Sequence, residues 1–282
     1  MSTVTVSAPP SPAPPPPPAK GAPRRRRPQV RSLALFVAIL VAWLVVWELV
    51  VRNGLVGVLT PSPGKVFARL IDVFSDPFFR HGINDVGIGW QLLASLRRVM
   101  IGFTLAAAIA VPLGFAIGSS PTLAKAVDPF VQVLKPVSPL AWLPIGLALL
   151  KDSELTSIFV IFMSALWPVL LNTIMGVRSV PPQYLALART LEAKRSTVVR
   201  KILLPGAMPS VVTGLRLSLG IAWLVIVAAE MLIGGRGIGY FVWNEWNNLN
   251  VASIVVAILA IGGVGLLLDR ALRRLERLFS YG

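Results

Sequence analysis

The chain has 282 residues, of which 55% are hydrophobic and only 14% charged, and its mean hydropathy is +0.74. One soluble core of this length cannot bury so much apolar surface, so the composition predicts a membrane protein. The absence of cysteine excludes disulfides, iron–sulfur ligation and thiol catalysis, and a single histidine, His81, leaves no ordinary zinc cluster. The net charge of +15 lies mainly beside apolar runs and in the tail, which suits anionic lipid headgroups and argues against nucleic acid as a partner. No GxxxxGKS/T sequence is present, so the chain is not expected to hydrolyse ATP itself.

Residues 1–30 contain Pro14 to Pro18 and Arg24 to Arg27. They hold too little apolar surface to offset the entropy of ordering and are expected to be a disordered cytoplasmic tail, with 31–282 as the membrane domain. A proline-rich docking motif is the functional alternative. The apolar run that follows is too long for a signal peptide and lacks a small-residue cleavage site. Leu33 to Val51 would be about 28 Å long as a helix, matching a bilayer core of about 30 Å. Further spans are predicted at Val99 to Ile117, Val131 to Leu150, Leu155 to Met175, Val211 to Ile233 and Val251 to Leu268, six in all.

An even number of spans puts both termini on one side. Basic residues before the first span (Arg24 to Arg27, Arg31) and after the last (Arg270, Arg273, Arg274, Arg277) make that side the cytoplasm. The loop from Arg178 to Leu204, with six Lys or Arg, falls on the same side. Between the first two spans, Pro61 to Phe74 can form an amphipathic helix on the outer interface, with Arg97 and Arg98 snorkelling at a span end. The third span carries Pro136, Pro139 and Pro144, so it is expected to be a broken helix, either a kinked packing element or a pore wall.

Tyr184 to Pro209 is a basic amphipathic segment between two oily runs. Leu185, Ala188 and Leu191 recur at three-residue steps, and Val198, Val199, Ile202 and Leu203 continue an apolar stripe. Two short helices with a turn near Glu192 to Ser196 fit, Pro205 stopping the second and Pro209 opening the next span. These residues resemble the cytoplasmic coupling loop of permease subunits of bacterial ATP-binding-cassette (ABC) importers, whose pattern is Glu-Ala-Ala, three residues, Gly, nine residues, Ile-x-Leu-Pro. Ala188, Ile202, Leu204 and Pro205 fit it; Ala186, Leu187 and Glu192 stand at its acidic, first Ala and Gly positions. Gly214 to Leu232, Phe241 to Asn250 and Val264 to Asp269 resemble the nitrate, cyanate and bicarbonate branch, as do PLGFAIGSSPTLAKAVDP and LKPVSPLAWLPIGLAL upstream. The resemblance spans roughly residues 30–275.

It implies an all-α, six-span permease without catalytic residues, forming a homodimer with the path at the subunit interface. It also implies two cytoplasmic ATPase subunits, which bind the ATP and Mg, and an external solute-binding protein. The ATPase-coupling residues would be Leu185, Ala186, Leu187, Ala188, Arg189, Leu191, Glu192 and Pro205, with Leu185, Leu187, Ala188 and Leu191 entering a groove on the ATPase.

Polar groups able to line a path are Ser138 and Trp142 on the third span, Asn172 on the fourth, and Arg216, Ser218, Trp223 and Glu230 on the fifth. Arg216 and Glu230 stand out because ionisable groups inside spans are costly. Fourteen residues apart, about 21 Å along a helix, they cannot pair with each other. Arg216 reads as an anion attractor near the cytoplasmic end or a snorkelling group, and Glu230 as a hold on a flexible glycine loop, Gly234 to Gly239, or a helix anchor. Trp243 and Trp246 with Asn244, Asn247 and Asn248 form an interfacial belt or a docking surface for the binding protein.

The expected cargo is a small inorganic anion, nitrate or nitrite first, then bicarbonate or cyanate, with a sulfonate such as taurine as the alternative. An ion-coupled secondary carrier is the rival class, but Glu48 and Glu230 both sit near span ends rather than at the bilayer midplane. A transport-free scaffold would leave the broken third span unexplained. The expected location is the bacterial cytoplasmic membrane.

Overall fold

The computed structural model describes residues 27–57, 59–82 and 85–279. Among these, the only regular elements are helices, apart from one bridge pair between Arg80 and Val86. The expected tail from 1 to 26 lies outside the described residues, while 27–30 already belong to the first helix. The chain divides into two units, 1–49 and 50–282.

The first unit contains most of α1, Arg27–Arg52. Leu33, Phe36, Leu40 and Trp43 are all exposed, and Trp43 and Trp47, one turn apart, meet at 5.1 Å. A helix apolar on every side is stable when hydrocarbon surrounds it.

The second unit begins with α2, Pro63–Ser75, where Ser62 caps the N-terminus by accepting the Lys65 N–H and Pro63 occupies the first turn without losing a bond. Its Arg69 Nε donates to Ser253 Oγ of a later helix at 2.8 Å. The centre of the unit is a stack of three long helices, α3 (Ile88–Ser119), α6 (Ser153–Arg178) and α9 (Leu204–Ile233), with α11 (Val251–Phe279) against α9. Val99, Ala106, Ile161, Ala165, Ala222 and Ile226 form its core. Small residues let α3 lie close to α6; a Cβ added at Gly114 would come within 2.5 Å of Thr173 Cβ.

Among the described residues, five helices are long and apolar enough to cross a membrane, or six if one bent pair counts as a span. That pair is the broken third span expected at Val131 to Leu150, with its first arm beginning earlier, at Pro121. Helix α4, Pro121–Leu134, starts directly after α3, and α5, Leu143–Leu150, leaves it at 89° after a 3₁₀ turn at Pro139–Trp142. Pro136 and Pro139 disfavour helical geometry in the residues before them, which places the break between Leu134 and Pro139.

The predicted stop at Pro205 is not present. The short α8, Arg195–Val198, continues through a π turn at Val199–Leu203 into α9, a single helical run of 39 residues from Arg195 to Ile233. The wider π turn shifts the hydrogen-bond register just before Pro205, so its missing N–H falls at a discontinuity rather than breaking a regular ladder. Pro209 is likewise inside the helix rather than at its start.

Candidate functional site

Two regions of the second unit concentrate the residues singled out by sequence. The first is the segment expected to couple to an ATPase, where α7 spans Pro182–Thr190. It closes with the Ala193 N–H on Ala188 O at 2.9 Å and the Glu192 N–H on Arg189 O at 3.0 Å. This pairing ends a helix on a left-handed residue, here Glu192 at φ +48°. The position that is Gly in the family pattern therefore retains a glycine-like backbone while carrying an acid, at a cost of about 1–2 kcal/mol.

The expected oily face divides in two. Ala188 is buried and half-buried Leu185 packs with Leu203, Ala207 and Val211, so both face the chain's own core. Leu187 and Leu191 point the other way, at 57% and 70% exposure, and Tyr184 joins them at 52%. Residues 184, 187 and 191 lie three and four apart, on one helical face. The predicted groove-facing set thus loses Leu185 and Ala188 to internal packing and gains Tyr184. Ala186, Arg189, Glu192 and Pro205 are exposed.

The second region is built on Glu230, which is 1% exposed. Ser95 Oγ lies 2.8 Å from both carboxylate oxygens, Arg98 Nη1 donates to Oε1 at 2.8 Å, and the Gly239 N–H donates to Oε2 at 3.0 Å. Ser95 Oγ also accepts the Ile238 N–H at 2.9 Å, and Gln91 Oε1 accepts the Gly237 N–H at 2.6 Å. These three amides open α10, Ile238–Asn247, and are the donors that any helix leaves unpaired at its start. Their acceptors come from α9 and α3, and the carboxylate also sits at the favourable end of the α10 dipole. Gly237 has φ +148°, and a Cβ there would overlap the Glu230 carboxyl group.

The glycine segment expected to be a flexible loop is therefore tied at Gly234, Arg236, Gly237, Ile238 and Gly239. Arg98 is corrected too: it is 8% exposed and paired with Glu230 and the Arg236 carbonyl, rather than snorkelling. Its Nε is buried with no acceptor among the described residues, a cost of about 1–3 kcal/mol. Arg97 pairs with Glu154. Sequence reasoning missed Gln91, Ser95 and the inward role of Arg98, although their spacing of four and three residues is a polar stripe along one face of the helix.

The remaining path candidates are placed differently. Arg216 donates from Nε to Asp269 at 2.8 Å and from Nη1 to Glu276 at 3.1 Å, while Asp269 also holds Arg273. Two carboxylates match its charge, which removes the basis for reading it as an anion attractor. Ser218 is fully buried and donates to Ala165 O at 2.9 Å, and Trp223 Nε1 donates to Ile261 O at 3.0 Å, so both serve the core rather than a path surface. Asn172 Nδ2 donates to Pro168 O within its own helix. Ser138 is exposed at the α4–α5 break, and Trp142 stacks edge-on against Phe159 with ring centres 6.5 Å apart. On α10, Trp243 and Trp246 are exposed, and Asn244 and Asn248 border a polar cleft of about 590 Å³ with Asp72, Asp76 and Gln91. Among the described residues, no three His, Cys, Asp or Glu side chains gather to hold a metal ion.

Residues 84–281 match the family model described as the binding-protein-dependent transport system inner membrane component, a stretch from the start of α3 through α11. The chain belongs to that family. It is a permease subunit of an ABC importer and, with its apolar helices, a multi-pass inner-membrane protein. The nitrate import permease protein NrtB of Synechocystis sp. is 44% identical over 264 residues, covering 91% of this chain and 94% of the relative. The bicarbonate transport system permease protein CmpB of the same organism is 40% identical, covering 86% and 87%. The taurine transport system permease protein TauC of Escherichia coli is 33% identical, covering 89% and 90%. An inward-facing structure of the MetNI methionine ABC transporter superposes with a TM-score of 0.61 at 16% identity, covering 69% of this permease and 98% of that chain, which establishes the shared fold.

Proposed function

We propose that this permease imports a small inorganic anion, nitrate or nitrite first. The observation that carries the reading is the 44% identity to a nitrate import permease over nearly the full length of both chains. Identity falls to 40% for the bicarbonate relative and 33% for the taurine relative, so bicarbonate is the second reading and a sulfonate the third.

In the mechanism we infer, two copies of the permease form the path between them, and cytoplasmic ATPase subunits bind ATP and Mg. The exposed face of Tyr184, Leu187 and Leu191 docks on an ATPase, because apolar side chains standing in water at a helix surface gain most by entering a partner's groove. Closure of the ATPases pulls on α7. The tight α7 turn and the unbroken run from Arg195 to Ile233 transmit that displacement along α9, rocking the permease between inward-facing and outward-facing states. Both chain ends are cytoplasmic, and the Glu230 end of α9 faces outside, where a solute-binding protein delivers the ion.

The test deletes the permease and measures uptake of labelled nitrate, nitrite, bicarbonate, cyanate and taurine at limiting concentration, then reconstitutes the complex with its own binding protein. Loss of nitrate uptake is expected. Intact uptake of every inorganic anion with loss of taurine uptake would overturn the substrate while leaving the importer. Orientation is tested by single cysteines at Ser2, Arg236 and Gly282, labelled in intact cells with an impermeant thiol reagent; only Arg236→Cys should react.

A further inference from the structure

Through α4 and the break that follows it, the chain climbs along the bundle. Near the foot of α4, Ala124 is buried with Ile117 of α3 and Ile174 of α6, both close to the ends of those helices at Ser119 and Arg178. Beyond the break, Leu140 and Leu143 pack with Val160, in the Ser153 half of α6, and with Ala229 of α9. The break between Leu134 and Pro139 therefore lies at mid-depth of the bundle, whichever end faces the cytoplasm.

The side chains of α4 sort into three sectors. Ala124 is buried and Val127, Val131 and Leu134 are half-buried, so this sector faces the bundle. Phe130 and Val133 are exposed and apolar, as a lipid-facing side requires. In the third sector Lys125, Asp128, Gln132 and Lys135 follow one another at steps of three, four and three residues, and all four are exposed. Gln132 Nε2 donates to Asp128 at 2.6 Å. At the foot of this stripe, Lys125 and Asp128 border a cleft of about 440 Å³ with Arg178, the last residue of α6. The charged groups of Lys125, Lys135 and Arg178 have no acceptor among the described residues.

Hydrocarbon cannot receive such a sector. Ionised side chains and broken backbone persist at membrane depth only where protein buries them or where they line a water-filled cavity. Nothing in this chain buries the stripe, so it fits a cavity that the single chain leaves open on one side. Three cations against one carboxylate give that side an excess of positive charge, which draws anions into a narrow space with low-dielectric walls.

We propose that the polar stripe of α4 is a wall of the translocation path and that Lys135, at the break, contacts the anion at mid-membrane. The proposal rests on the reading of the permease as an anion importer. Lys135 takes the part that Arg216, matched by two carboxylates, cannot play. An ammonium is a compact point charge on a flexible stem, so it selects for charge without imposing a fixed geometry, and a passing oxyanion is attracted without being trapped. With both chain ends cytoplasmic, Lys125 and Arg178 stand at the inner mouth, where they draw the ion onward from Lys135.

The chain contains no cysteine, so single thiols can be read on the permease without background. The permease, purified with its ATPase subunits in lipid nanodiscs, is treated with an anionic and a cationic methanethiosulfonate at fixed ionic strength made up with gluconate. Gln132→Cys, on the stripe, should react with both, whereas Val133→Cys, on the lipid-facing sector, should react with neither. The ratio of the anionic to the cationic rate at Gln132→Cys should fall by about tenfold when Lys135→Gln is added and should persist with Lys135→Arg. Nitrate should slow the anionic reagent saturably only where residue 135 is basic. Ser138→Cys, exposed at the break, repeats the measurement if Gln132→Cys fails to assemble. Equal reactivity at positions 132 and 133, no reaction at the stripe, or a rate ratio that Lys135→Gln leaves unmoved would each overturn the proposal. Nitrate uptake that is lost on deletion of the permease, together with an unmoved ratio, would reject Lys135 and leave the importer reading intact. Uptake of every inorganic anion that survives deletion would instead reject the cargo on which the proposal rests.

Discussion

The two ends of the helical run through α9 are built on opposite terms. At the Glu230 end the carboxylate, Ser95, Gln91, Arg98 Nη1 and three α10 amides pair with one another inside the chain, leaving Arg98 Nε without an acceptor among the described residues, with Glu230 at 1% exposure. At the other end, Tyr184, Leu187 and Leu191 are exposed and Glu192 holds a left-handed backbone, while the half-exposed ion cluster of Arg216, Asp269 and Glu276 lies midway along the run. One end is complete in the single chain; the other presents apolar surface that only a partner or a membrane surface can cover. A rigid α9 closed at one end and unfinished at the other is suited to carrying a displacement from a docking site to a fixed point.

The comparison breaks most severely at Glu230. Glu230→Ala leaves the buried Arg98 guanidinium uncompensated and strips the Gly239 N–H of its acceptor, so it should cost about 3–5 kcal/mol. The measurement is the thermal stability of the purified complex in lipid; an unchanged melting temperature would show that the cluster does not close this end. Gly237→Ala attacks the same cluster through the backbone, since its φ of +148° and the overlap with the Glu230 carboxyl both exclude a side chain. Its loss should approach that of Glu230→Ala without removing any charge.

At the unfinished end, Leu187→Asp with Leu191→Asp should leave membrane insertion and melting unaffected, because both side chains are exposed, while abolishing copurification of the ATPase. Bringing a carboxylate into an apolar groove costs several kcal/mol. Leu185→Asp, in contrast, should lower the yield of the permease itself, because Leu185 packs on the chain's own core. Equal copurification by the double variant and wild type would show that this face does not dock.

Smaller changes sharpen the contrast. Glu192→Gly should stabilise the coupling segment by about 1 kcal/mol by relieving the left-handed strain, read as slower amide exchange at Ala193. Asp269→Asn should have the weakest effect, because the pair it weakens is solvent-accessible and screened; the loss should disappear in high salt, whereas that of Glu230→Ala should not.

The sequence by itself determined the class and most of the helices. Apolar runs of span length are a local property of composition, and a bilayer-compatible helix needs no partner to be recognised in them. The segment from Tyr184 to Pro209 stood out by its amphipathic pattern, and Glu230 by the cost of an acid inside a span. Only the tertiary structure decided which side of α7 faces inward, that the π turn carries the helix past Pro205, and that the broken third span turns through 89°. It also decided that Arg98 and Glu230, 132 residues apart, are partners, whereas Arg216 is matched by Asp269 and Glu276. Each of these outcomes depends on which distant side chain arrives opposite a given face. Periodicity names the faces of a helix, but it carries no information about what packs against them.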